Sequence, residues 1–147
     1  MDYKVLGSTC YIRADKGDEV MASILDVCRR EGIRSAMFSG IGGCGEAEIQ
    51  VFDAETRTFA TERFEGVLEL VSLMGNVVDG GEGGQSWHAH ALFSYRHDDE
   101  HRMASGHLKS ATVLYTAEIE LRPVVGGVIH GTPDPVTGSK FWSFDPS

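Results

Sequence analysis

Apolar and polar residues exchange places along this chain with two different periods. Over residues 18–31 the apolar positions Val20, Met21, Ile24, Leu25 and Cys28 recur at helical spacing. Asp18 and Glu19 suit the positive end of a helix dipole, and Arg29 and Arg30 suit the negative end. Gly32 then supplies a residue able to take positive φ beyond the last turn. The pattern predicts one helix over 18–31.

From Ile33 onward the segments read as strands. Residues 5–13 alternate weakly, 35–39 are short and apolar, and 47–52 and 58–64 follow. Residues 67–74 form the most hydrophobic stretch and are expected to be a central strand. In 111–121, Val113, Tyr115, Ala117, Ile119 and Leu121 share one face, with Thr112, Thr116, Glu118 and Glu120 opposite. A short closing segment, 140–144, carries Phe141, Trp142 and Phe144, expected to pack onto the sheet.

Turns punctuate this pattern. Asp53-Ala54-Glu55-Thr56 can cap its own backbone, and Gly40-Ile41-Gly42-Gly43 reads as a sharp strand-to-strand turn. Residues 79–85 are glycine-rich enough to predict a mobile loop, 96–102 a charged hairpin tip, and 132–138 a turn. The expected design is α+β: a single domain over 1–147, a mainly antiparallel sheet with one main helix packed on it.

Composition narrows the function classes. The formal net charge of −9 opposes a general affinity for nucleic acid, because phosphate binding needs a basic patch that releases counterions. Cys10, Cys28 and Cys44 are odd in number and show no CxxC spacing, and no apolar run approaches a membrane span. Reduced thiols and the absence of a signal-like segment lead to the expectation of a soluble, cytoplasmic protein with no membrane partner. Cys44, in its glycine-rich setting, is expected to be buried or simply tolerated, with reactivity the alternative.

The chemistry concentrates on three histidines. His88 and His90 stand at i and i+2 of the strand 86–93, so both rings leave on one face, roughly 7 Å apart along it. Trp87 and Phe93 alternate to the opposite face. His107, in Ser105-Gly106-His107-Leu108, returns after a short loop and would complete a set able to bind zinc or a similar divalent ion with one position open. The alternative is that they simply fill a half-buried strand surface. Glu69 shares a strand face with Val67, Val71 and Leu73, so its carboxylate should meet a cation, a donor or a metal. No nucleophile elbow, P-loop or dinucleotide fingerprint is present.

Taken in order, the motifs resemble the plants-and-prokaryotes-conserved (PPC) domain family over nearly the whole chain. They begin with Ile12-Arg13-Ala14-Asp15-Lys16-Gly17-Asp18-Glu19-Val20, Gly32-Ile33-Arg34-Ser35-Ala36, Ser39-Gly40-Ile41-Gly42 and Phe52-Asp53. Glu69-Leu70-Val71-Ser72-Leu73-Met74-Gly75-Asn76, His88-Ala89-His90, Gly106-His107-Leu108 and Thr116-Ala117-Glu118-Ile119 follow. The resemblance implies a sandwich-like domain that assembles as a homotrimer, and a metal held by His88, His90 and His107. Ser105 replaces the first of two glycines usual before the third histidine, Gly42-Gly43 stands for the usual Gly-Ala, and 96–102 is longer than the usual hairpin. No Arg-Gly-Arg core exists, so the minor-groove hook of plant relatives is absent.

Two functions are expected from this. One is a homotrimer with a three-histidine zinc or other divalent metal site, acting on a small-molecule ligand with Glu69 or Glu118 as base or orienter. The other is a non-enzymatic regulatory or assembly module binding DNA or a transcription partner, by analogy with the plant relatives.

Overall fold

The computed structural model describes residues 1–81, 84–135 and 140–144. Residues 82–83 of the glycine-rich loop and 136–138 of the later turn lie outside the described residues. The elements run β1 (Asp2–Leu6), β2 (Thr9–Asp15), α1 (Val20–Arg30), β3 (Ala36–Asp53), β4 (Thr58–Asp79), β5 (Gln85–His97), β6 (Glu100–Pro123), β7 (Ile129–Pro133) and β8 (Lys140–Phe144). The architecture is mostly sheet with one short helix, as the α+β reading expects. No described helix is long and apolar enough to cross a membrane.

The helix forms where its periodicity places it. Glu19 is the N-cap, its Oε2 accepting from the Ala22 N–H at 2.6 Å. At the other end Gly32 takes φ 65, and the Ile33 N–H reaches back to the Cys28 carbonyl at 2.8 Å, closing the last turn. Val20, Met21, Ile24, Val27 and Cys28 are buried, and the helix packs across β2 and β6. Burying a side chain such as Ile24 contributes about 1.5–3 kcal/mol, which an isolated helix of this length would lack.

The sheet follows the order β1-β2-β6-β3-β4-β7-β8, with β5 pairing both β4 and β6. Since β3 also pairs both β4 and β6, the four long strands close on one another in a ring. Leu68, Leu70, Leu73, Phe93, Ile49 and Leu108 are buried within one continuous core.

Four local expectations are corrected. The strand 5–13 is a hairpin, reversed at Gly7 with φ 63. The segment 40–43 is no turn: β3 runs straight through it, and its glycines serve close strand approach. A Cβ at Gly42 would lie 2.5 Å from the Thr116 carbonyl oxygen and 2.7 Å from the Ala117 Cα. The segments 58–64 and 67–74 belong to one strand, β4. Tyr115 is exposed rather than facing the core, because β6 advances from Ala117 to Val113 while β3 advances only from Gly42 to Cys44.

Other details agree with the pattern. The Asp53 carboxylate accepts from the Glu55 N–H at 2.8 Å and the Thr56 N–H at 3.3 Å. Cys44 is fully buried, and burial pushes its thiol up to about 11. Cys28, also buried, is pushed up to about 12, so both thiols are inert at neutral pH.

Candidate metal centre

The site begins with a two-residue turn. Asp98 and Asp99 take φ 50 and 61, a conformation short polar side chains tolerate, and His97 pairs with Glu100 across them. No bulge interrupts β5 and β6, so the register runs unbroken from this turn to His90 opposite His107. His88, two residues further along β5, faces the same side. Trp87 is partly buried and Phe93 fully buried on the opposite face, as the alternation predicts.

The three imidazoles converge. One ligand nitrogen from each lies within 4.8 Å of the others, and among the described residues no other group of three such donors forms. His88 Nε2 and His90 Nε2 are 3.2 Å apart. Two nitrogens on a tetrahedral zinc at ordinary bond length are separated by about 3.3 Å, so this edge already has the required span. The His88 and His107 rings stack at 4.9 Å with 16° between planes, and the His90 and His107 centroids are 4.4 Å apart.

The surroundings favour neutral rings. Partial removal from water holds His88 and His107 below the ordinary imidazole value, and the neighbouring histidines add to this. A His107 ring N–H donates to the Gln50 backbone carbonyl, as the pairing of Gln50 with His107 allows. That bond fixes the ring and leaves its other nitrogen free as a ligand. Phe59 packs edge-on against His107, with centroids 5.3 Å apart.

A cleft of about 390 Å³ opens beside His88 and His107, walled by Phe52, Phe59, Phe141 and Val78, with Asn76, Ser86 and Lys140. Nothing in the local pattern marked Phe59, Ser86 or Lys140, because pairing of distant strands brings them there.

Glu69 and Glu118 stand apart from this group. Leu68 and Leu70 take the core side of β4, leaving Val67, Glu69 and Val71 exposed, so Glu69 has no apolar burial to offset. Glu118 pairs with Ile41 and Arg13 and lines a different, open groove of about 850 Å³. Tyr11, Ile41, Val71 and Met74 supply the apolar lining of that groove. Met74 also pairs with His90, so the groove borders the histidines.

The family model described as the Plants and Prokaryotes Conserved (PCC) domain matches residues 1–125. A PPC protein from Pyrococcus horikoshii is 29% identical with TM-score 0.81, covering 99% of this chain and 97% of its own. A metal-containing protein from Archaeoglobus fulgidus is 27% identical with TM-score 0.81, covering 97% and 96%. A candidate DNA-binding protein from Ralstonia eutropha JMP134 is 25% identical with TM-score 0.84, covering 97% and 96%. No curated protein matches the chain.

Proposed function

The chain belongs to the Plants and Prokaryotes Conserved (PCC) domain family, and from that premise we propose that it binds a divalent metal ion through His88, His90 and His107 beside a small-molecule cleft. One observation carries this reading: three imidazoles from two paired strands present nitrogens within 4.8 Å of one another. The all-nitrogen donor set with an open fourth position suits zinc. The metal-containing relative from Archaeoglobus fulgidus lends the same reading support.

An ion bound there supplies Lewis acidity at the open position. The protein's part is orientation and shelter. Gln50 sets the His107 ring, the tight turn sets His90 opposite it, and the aromatic walls limit water in the cleft. A catalytic role for Glu69 or Glu118 requires a neighbouring copy to bring either carboxylate to the histidines. We assign the groove bordered by Ile41, Val71 and Met74 to such a copy, in a cytoplasmic homotrimer formed by the single domain.

The DNA-binding reading has the Ralstonia eutropha relative in its favour. Against it stand the net charge of −9 and the pairing of most arginines with carboxylates, among them Arg13 with Asp15, Arg34 with Asp79 and Arg63 with Glu46. Elemental analysis of untagged, chelator-free protein tests the proposal. About one divalent ion per chain is expected, lost in His107→Ala. Stoichiometric absence of metal from the unsubstituted protein would sink it.

A further inference from the structure

The cleft beside the histidines offers a ligand few polar groups. The Ser86 Oγ lies beneath its surface, out of a ligand's reach. Lys140 is exposed, and its ammonium group lies against the glycine-rich loop: a Cβ at Gly80 would stand 3.2 Å from Nζ. Phe52, Phe59, Val78 and Phe141 supply apolar walls. Apart from the His88 and His107 rings, Asn76 is the polar side chain that remains among the described lining residues. Its place is fixed by strand pairing. Asn76 of β4 stands directly opposite His88 of β5, so the two side chains share a face with Cβ atoms about 5 Å apart. Its neighbour Val77 is in the core, which leaves Asn76 on the cleft side of the strand. Asn76 is half-buried, and its amide has no hydrogen-bond partner among the described residues.

An unpaired amide beside a metal ligand, at the edge of an apolar space, calls for one uncharged polar group on the molecule that enters. Away from the ion, a charged group would give up its hydration for walls that offer no ionic partner. The aromatic walls suit a flat body, and about 390 Å³ lies toward the lower end of small-molecule sites, which suits a single ring. We propose that the cleft takes a small, uncharged aromatic carbonyl compound, and that the Asn76 amide donates to the oxygen that addresses the open metal position. Asn76 then selects the ligand without holding the ion. This deepens the metal-site reading and rests on it.

Cobalt(II)-substituted protein, titrated with three probes and followed by its visible spectrum and by calorimetry, tests the assignment. Para-methylbenzohydroxamate and para-carboxybenzohydroxamate address the metal through a carbonyl, and para-methylthiophenolate addresses it through sulfur alone. In the unsubstituted protein the methyl hydroxamate should bind about tenfold more tightly than the carboxy one. Asn76→Leu should still hold cobalt and keep its thiolate affinity, but lose about tenfold for the methyl hydroxamate. Asn76→Ala should do the same, which separates a lost hydrogen bond from a change of volume. Equal affinity for the two hydroxamates, or a preference for the charged one, would overturn the uncharged ligand. Hydroxamate and thiolate affinities that fall together in both variants, or that both stay unchanged, would overturn the role of Asn76, and either result leaves the metal site in place. Failure of the unsubstituted protein to hold cobalt would overturn the metal reading and this inference together.

Discussion

His107 is held on three sides: a carbonyl from Gln50, the stacked ring of His88 and the edge of Phe59. The acid response of the metal-free protein follows from this setting. His88 and His107 titrate below the ordinary imidazole value of about 6.5, so through that range the unfolded chain binds more protons than the folded one. Their contribution to stability is complete above the ordinary value and is lost as pH falls toward the lowered values. The denaturant midpoint of the metal-free protein should drop between pH 7 and pH 5, and His107→Gln should flatten that slope. An equal slope in the variant would remove these rings from the acid response. The residues of the trio were legible because i and i+2 on a strand must share a face. Ser86, Phe59 and Lys140 were not, since their meeting depends on β3, β4, β7 and β8 closing around β5.

At the scale of elements, Glu19 couples the helix to the sheet. One carboxylate oxygen caps Ala22 and the other accepts from the buried Ala111 N–H of β6 at 3.1 Å. Glu19→Ala removes a cap and leaves a strand donor unpaired, so a loss of about 1–3 kcal/mol is expected from urea unfolding. A cost no larger than that of an exposed surface substitution would mean that water replaces both bonds. The helix was readable to within two residues because its period is unbroken. Strand lengths were harder to read. Bulges between Gly40 and Gly42 and between Cys44 and Glu46 break the two-residue alternation of β3, so one long strand looks like two short ones. Glycine serves both turns and close strand contacts, and only the position of Thr116 and Ala117 distinguishes them at Gly42.

The whole molecule leaves an apolar face uncovered. Ile41 is 56% exposed, Val71 48% and Met74 63%, all three on the groove. If this face joins three copies, light scattering should give three times the chain mass, and Ile41→Glu combined with Val71→Glu should give a folded single chain. A single-chain mass for the unsubstituted protein at micromolar concentration would exclude the homotrimer. Assembly leaves little trace in the sequence, because Val67, Val71 and Met74 read equally well as core residues. Only the packing of Leu68 and Leu70 shows which side of β4 faces inward.

The unbroken pairing of β5 with β6 also bears on how the protein folds. A slip of one residue would turn every side chain of β5 to the other face, carrying His88 and His90 into the interior and Phe93 into water. A slipped hairpin could not offer three nitrogens to one ion. Metal uptake would then act as proofreading, drawing the folding population toward molecules whose strands are aligned and passing over those that are not.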